Sequence, residues 1–247
     1  MEQINDKLNL LLIEDKKNED QDTTLDLDSN EDLWFDELVE KHDFQSGDIL
    51  LFQHHYEVKK WSDLLFDTMD AVIGFLTWSK YTHSAVIIKD PSWRPDLKGY
   101  YMLESNWEMF KDSEDDEIKI GVELVPLKKI LDINRQNKLY YRKIRCNRDA
   151  DFYDKLNKAQ SVVHNRPYDL IITDWIKALF KWQIGSVRRK KTFWCSALVS
   201  FMETQLGLLP ENTDWTIMSP KDLGTENKKT NLKFQNCEID DEILLEY

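Results

Sequence analysis

Cysteine and histidine are the scarce residues of this chain that could carry out covalent chemistry, with three cysteines and five histidines among 247 residues. Of the cysteines, only Cys195 lies in a strongly apolar stretch with helical spacing, TFWCSALVSFME. We predict a helix here, with Thr192 as its N-cap and Gly207 just beyond its end. Cys195 would then occupy the third helical position.

A cysteine in the first turn of a helix lies near unpaired backbone amides and the positive end of the helix dipole. Both features favour the thiolate over the thiol, and the thiolate is the nucleophilic form. The basic stretch RRKK, residues 188–191, adds positive potential, and the same amides could hold an oxyanion. The alternative is that Cys195 only packs, because Leu198 and Val199 indicate a buried helix.

A thiolate nucleophile needs a base that also protonates the leaving group. His83 lies in YTHSAVII, a predicted strand, and Glu104 lies in the following predicted strand, YYMLESN. If these strands pair, the two side chains could meet on one face, where Glu104 would orient the imidazole. The alternative is that His83 is structural and Glu104 is an ordinary polar strand residue.

The elements that must position these residues run in the order strands first, helices later, which is typical of an α+β fold. Strands are predicted in the stretches SGDILLFQHH, YTHSAVIIKD, YYMLESN, IGVELVPL and KLYYRKIR. Helices are predicted over residues 61–79, 150–166, 167–182 and 192–206, with a short helix or turn around KKILDINRQN. The helix over 61–79 is apolar enough to touch a membrane or an acyl chain, but its acids favour a core helix.

Charge divides the chain into an acidic end and a nearly neutral body. Residues 1–43 carry 15 acids against 4 lysines, whereas the whole chain has a net charge of −13. We predict an acidic N-terminal arm over 1–43, disordered in part and ending in a short docking helix, which could bind a protein partner. A domain over 44–209 and a C-terminal extension over 210–247 follow. The neutral body disfavours nucleic-acid binding.

The spacing of the cysteines carries information about cofactors and compartment. There is no CxxC pair, so we expect no zinc knuckle, and we expect no metal or other cofactor. An odd, widely spaced set of three cysteines also disfavours a disulfide framework and favours a reducing, intracellular compartment. We find no secretory signal and no apolar run of the roughly 18 residues that a membrane span needs, which leaves peripheral membrane contact open.

Seven short motifs occur in a fixed order: SGDILLF, YTHSAVII, MLES, GVELVPL, YYRKI, PYDL and FWCSALV. This set resembles the NlpC/P60 superfamily of papain-like cysteine hydrolases. It looks most like the circularly permuted branch, in which the histidine strand precedes the cysteine helix. Bacterial members of that branch and proteins of large DNA viruses, including poxviruses, carry this order. The resemblance covers about residues 44–205.

The resemblance implies a permuted papain-like fold, with an antiparallel sheet packed against helices. It implies Cys195 as nucleophile, His83 as general base and acid, and Glu104 as the residue that orients His83. Asp48, in the first-strand motif, is expected to fix a turn.

The resemblance also suggests residues that contact the substrate. Tyr168, in PYDL, would line the substrate or help to hold the oxyanion, with a packing aromatic as the equal alternative. Trp194 and Ser196 flank the nucleophile and are expected to bind substrate.

The expected function is a thiol hydrolase or acyltransferase that forms an acyl-enzyme. Its substrate would be a peptide or other amide, or a lipid ester or thioester, because the family contains peptidoglycan peptidases and relatives that act on lipids. The alternative is a catalytically silent papain-like fold that serves as a binding or structural protein, such as a virion component. If the protein is viral, it would reside in the host cytoplasm or the virion.

Overall fold

A computed structural model describes residues 33–53, 80–106, 110–167, 194–225 and 232–247 of the chain. The chain divides into two compact units, residues 1–41 and 42–247. Helix α1 (Leu33–His42) lies where the sequence predicts a short helix. The predicted helices over 61–79 and 167–182, and with them Tyr168, lie outside the described residues.

The second unit is built on an antiparallel sheet with the strand order β4-β3-β2-β1-β5-β8. A separate two-stranded sheet pairs β6 with β7. The strands are β1 (Ile49–Gln53), β2 (His83–Lys89), β3 (Tyr100–Asn106), β4 (Gly121–Pro126), β5 (Lys138–Arg142), β6 (Ile144–Cys146), β7 (Cys237–Ile239) and β8 (Ile243–Leu244). The first five lie where the sequence predicts strands.

Four α-helices and one short 3-10 helix complete the described part of this unit. They are α2 (Leu127–Ile133), α3 (Ala150–Val163), α4 (Cys195–Gln205), the 3-10 helix Trp215–Ile217 and α5 (Pro220–Leu223). The predicted α+β class, with an antiparallel sheet packed against helices, is confirmed. Within the described ranges, the helices all fall short of the length and apolar character that a membrane crossing would need.

The sheet is buried on both faces. Alternate residues of its central strands form one core with α3 and α4: Ile49, Leu51, Val86, Ile88 and Leu103. Their neighbours Leu50, Ile87 and Met102 point to the opposite face and are buried as well. Burial on both faces explains why these strands read as continuous apolar runs rather than alternating ones.

Helix α4 begins later than the sequence predicts. Its N-cap is Trp194, which has extended φ and ψ angles of −96° and 168°, so the expectation of Thr192 as N-cap is wrong. Cys195 is therefore the first helical residue rather than the third. The physical reason is tertiary: the indole Nε1 of Trp194 donates a hydrogen bond to the carbonyl of Met218 at 3.0 Å, which holds Trp194 outside the helix.

The end of α4 follows the sequence signal. Gly207 has a φ of +77°, the left-handed conformation that glycine adopts without strain. The amide of Gly207 donates to the carbonyl of Thr204, and the amide of Leu208 donates to that of Glu203. These two bonds form a Schellman motif, so the prediction of Gly207 as the residue that ends the helix is confirmed.

The outer edge of β4 is covered by another part of the chain. The amide of Val122 donates to the carbonyl of Arg166 at 2.9 Å, and Gly121 forms a bridge with Pro167. Gly121 has a φ of +151°, and a Cβ atom added there would lie 2.3 Å from the carbonyl oxygen of Arg166. Only glycine allows this close approach.

The last described segment contributes strands to both sheets. Strand β8 pairs with β5, and β7 pairs with β6. The side chain of Arg142 donates to the carbonyls of Leu223 and Asp240, which ties the sheet to α5 and to the segment between β7 and β8. Strands of two and three residues are too short to show an alternating pattern, which is why the sequence gives no signal for them.

Asp48 joins the start of β1 to the connection between β5 and β6. Its buried carboxylate accepts hydrogen bonds from the amides of Gln45 and Ile144, both at 2.9 Å, and from the hydroxyl of Tyr141 at 2.6 Å. Arg148 forms an ion pair with it at 3.2 Å. Burial raises the pKa of the Asp48 carboxyl, although these hydrogen bonds and the cation oppose the effect.

We expect Asp48→Ala to destabilise the protein by about 2–4 kcal/mol, because it leaves buried donors without an acceptor. Tyr141→Phe removes only one of the bonds and should cost about 1 kcal/mol. The measurement is urea unfolding. Glu211→Ala, at an exposed position, is the control, and an Asp48→Ala midpoint equal to that of the control would contradict this role.

Candidate active site

His83 and Glu104 meet in the interior of the protein. His83 is the first residue of β2, and Glu104 lies in β3, the neighbouring antiparallel strand. The Nε2 atom of His83 and the Oε2 atom of Glu104 are 2.5 Å apart, and the two residues are 6% and 1% exposed. The structure therefore places the carboxylate where it can orient the imidazole, as the sequence suggested.

Cys195 lies beside this pair, close enough that its side chain raises the pKa of His83. The three side chains come from α4, β2 and β3, so the sheet and the helix that packs on it together form the site.

The charge state of His83 follows from this environment. Burial, the largest single effect, lowers the pKa of His83. The hydrogen bonds and negative charges of Cys195 and Glu104 together outweigh burial and raise that pKa well above its ordinary value of 6.5. The site therefore favours the imidazolium form of His83.

Asn106 is a further member of the site that the sequence reasoning missed. Its Nδ2 atom donates to Oε2 of Glu104 at 3.4 Å, and the residue is buried. Asn106 lies two residues after Glu104 in the same strand, so both side chains point to the same face. That spacing is the signal that could have found it. Within the part of the chain that the structure describes, Oε1 of Glu104 is buried without a hydrogen-bond partner.

A small cavity of about 10 Å³, roughly the space that one water molecule needs, lies beside the imidazole and the carboxylate. Four of its eight lining residues are apolar and four are polar. It is lined by Phe52, His83, Met102, Glu104, Asn106, Phe110, Ile130 and Asn134. The ring of Phe52 contacts His83 edge to face, with the ring centroids 5.2 Å apart. The cavity therefore lies between the His83 and Glu104 side of the sheet and α2.

Trp194 and Ser196, expected from the sequence to bind substrate, have their polar atoms engaged in the fold. Both are buried, and both donate to the carbonyl of Met218, at 3.0 Å from the Trp194 indole and 2.7 Å from the Ser196 hydroxyl. They anchor the first turn of α4 to the segment after the 3-10 helix. Their expected contact with substrate stays a prediction.

In the ranges that the structure describes, no three or more histidine, cysteine, aspartate or glutamate side chains form a group that could hold a metal ion.

Comparison with known proteins gives little sequence similarity. No family model and no curated protein matches the chain. Among solved structures, the chain is similar to the metalloprotein yiiX (DUF1105) from Escherichia coli O157:H7. The two share 14% sequence identity, with 82% of this chain and 96% of that chain covered and a TM-score of 0.42. A similarity at this level identifies neither a family nor an activity.

We expect Glu104→Gln to lower the pKa of His83 by about one to two pH units, because the neutral amide no longer favours the imidazolium. NMR titration of the imidazole ring measures this value. Glu117→Gln removes an exposed acid and serves as the control, which should leave His83 unchanged. An unaltered titration in Glu104→Gln would contradict the electrostatic coupling.

The same coupling predicts a pH dependence of stability. The folded-state pKa of His83 is higher than the unfolded one, so its contribution to stability is fully present below pH 6.5. The contribution is lost as the pH rises through the folded-state value. Glu104→Gln should flatten this part of the profile of unfolding free energy against pH. A profile of the same shape in both proteins would count against the coupling.

Proposed function

We propose that this chain is a thiol hydrolase or acyltransferase with a permuted papain-like fold of the NlpC/P60 type. Cys195, His83 and Glu104 would be its catalytic triad. The observation that carries the proposal is that three side chains from different elements meet: the Glu104 carboxylate lies 2.5 Å from the His83 imidazole, and Cys195 lies close enough to raise the pKa of His83. The histidine strand precedes the cysteine helix in the chain, which is the order of the permuted branch.

The first half of the reaction forms an acyl-enzyme. The thiolate of Cys195 attacks a carbonyl carbon, and the carbonyl electron pair moves onto oxygen to give a tetrahedral oxyanion. When the oxyanion collapses, the bond to the leaving amine, alcohol or thiol breaks. The imidazolium of His83 gives its proton to that leaving group, and a thioester between Cys195 and the acyl group remains.

The second half releases the acyl group. Neutral His83 removes a proton from water, or from another acceptor in an acyltransferase, and the resulting nucleophile attacks the thioester. Collapse of this second oxyanion breaks the carbon–sulfur bond and restores the thiolate and imidazolium. Glu104 stays hydrogen-bonded to His83 throughout and stabilises its charged form.

The start of α4 supports this chemistry in two ways. Because Cys195 is the first helical residue, its own amide and the next two have no acceptor within the helix. These donors and the positive end of the helix lie next to the reacting carbonyl and favour the oxyanion. The anchoring of Trp194 and Ser196 to Met218 fixes the first turn before substrate binds, so little reorganisation is needed.

The second candidate is a papain-like fold that has no catalytic activity and serves as a binding or structural protein. The observation that favours it is burial: Cys195 is only 3% exposed. A carbonyl carbon cannot reach the sulfur of a closed site. The same triad geometry would then stabilise the fold without turnover.

Alkylation of the native protein with iodoacetamide at pH 7 separates the two candidates. If the proposal holds, Cys195 reacts at least about tenfold faster than Cys146 and Cys237, because burial raises the pKa of both other thiols, that of Cys237 to about 11. His83→Ala should abolish the difference. Peptide mass mapping identifies the modified residue. If Cys195 is alkylated only after unfolding, the inactive candidate is supported.

A panel of chromogenic acyl esters, thioesters and amides then tests turnover. We expect release of the leaving group by the wild-type chain and a loss of at least about a hundredfold in Cys195→Ala and in His83→Ala. Asp151→Asn, at an exposed position, is the matched control and should retain the full rate. Equal rates in Cys195→Ala and the control would refute the proposed nucleophile.

A further inference from the structure

The two cysteines outside the candidate active site face each other across the small sheet. Strands β6 and β7 are antiparallel, and their register pairs Ile144 with Ile239, Arg145 with Glu238 and Cys146 with Cys237. Directly opposite residues of an antiparallel pair have their side chains on the same face. The two sulfur atoms are therefore carried by adjacent backbones, although they are 91 positions apart in sequence.

The hydrogen-bonding pattern brings this pair closer still. The amide of Asp240 donates a hydrogen bond to the carbonyl of Lys143 at 2.9 Å, so these two residues form a hydrogen-bonded pair. In the same register, this pair lies next to the pair Ile144 and Ile239. Hydrogen-bonded and non-hydrogen-bonded pairs alternate along an antiparallel ladder. Cys146 and Cys237 therefore form a non-hydrogen-bonded pair, in which Cα atoms are typically about 4.5 Å apart. This separation lies within the range that a disulfide bond requires.

Both thiols are free and partly exposed, so a small reagent can reach them. Their surroundings make them slow nucleophiles. Burial raises the pKa of both, and the buried carboxyl of Glu203 on α4 adds to the effect, while Arg148 opposes it. Both cysteines therefore favour the protonated thiol at neutral pH.

We propose that Cys146 and Cys237 form a dithiol site that a low-molecular-weight disulfide of the glutathione class oxidises to a cross-strand disulfide. The site is independent of the proposed active site. The disulfide links β6, in the body of the protein, to β7, near the end of the chain. In a reducing compartment both cysteines stay thiols, and a shift of the thiol–disulfide balance toward oxidation forms the disulfide.

The reaction is two successive exchanges. The thiolate of one cysteine attacks a sulfur of the small disulfide, whose S–S bond breaks and releases one thiolate. The second cysteine, after losing its proton, attacks the protein sulfur of this mixed disulfide and releases the second small thiolate. The protein loses two electrons and two protons, and the small disulfide is reduced to two thiols. The second step is intramolecular, so the mixed disulfide should not accumulate.

The test uses the full chain carrying Cys195→Ala, treated with oxidised glutathione at pH 8. We expect the intact mass to fall by two hydrogen atoms. A non-reducing digest should contain one cross-linked peptide pair that joins Cys146 to Cys237, and dithiothreitol should separate it. The rate should rise with pH between pH 7 and pH 9, because burial raises the pKa of both thiols above the ordinary value of 9.0.

Cys237→Ser, in the same background, is the matched control. It should trap a mixed disulfide on Cys146, since no resolving thiol remains. A digest of the wild-type chain after the same treatment repeats the test without relying on any variant. Stable mixed disulfides on both cysteines, or cross-links only between separate molecules, would overturn the proposal. If instead Cys195 fails as a nucleophile, the Cys146–Cys237 result is unaffected.

The closed form has a measurable consequence for stability. A disulfide restricts the unfolded chain, and the restriction grows with the length of the loop it closes. The loop here includes α3, α4 and α5, so the oxidised protein should unfold at a higher urea concentration than the reduced protein. Cys237→Ser should show no such difference between oxidised and reduced samples, and a midpoint unchanged by oxidation in the parent chain would contradict a closed loop.

Discussion

The antiparallel register of β1, β2 and β3 is the constraint on which the candidate active site depends. In β1, Phe52 lies opposite His83. When the register of β2 with β3 is extended to His83, Asn106 lies opposite it, and Glu104 lies beside it on the same face. A slip of one residue would turn His83 and Glu104 to opposite faces, because side chains alternate along a strand. The buried apolar residues of both faces hold this register, so the core fixes the geometry of His83 and Glu104.

Burial makes the polar groups of the site depend on one another. Cys195, His83 and Glu104 are all buried, so their polar atoms are stabilised by their neighbours rather than by solvent. Removing one partner leaves the others without compensation. Asp48 follows the same rule at the other end of β1, where Tyr141, Arg148 and two amides replace water. The stability of the fold therefore depends on buried polar groups at both ends of β1.

Much of this arrangement could be predicted from the sequence, and the reasons are local. The five strands are short apolar or β-branched runs bounded by turns, and Gly207 marks the end of α4 as glycine commonly does. Consecutive strands usually pair, which is why His83 and Glu104 could be expected to meet.

The rest depends on contacts between distant parts of the chain. Met218 determines where α4 begins by holding Trp194 and Ser196, and no local pattern reveals that contact. The place of Asn106 beside His83 and Glu104 can be recognised only once the register of β2 and β3 is known. The segment after Gly207 forms strands because β5 and β6 offer free edges to it.

The covered edge at Gly121 protects the sheet from self-association. The outer amides of β4 are engaged by the chain itself, and β8 offers only two residues at the other end. Among the described strands, a second copy therefore finds little unpaired edge backbone from which a continuous intermolecular sheet, and hence a fibril, could grow.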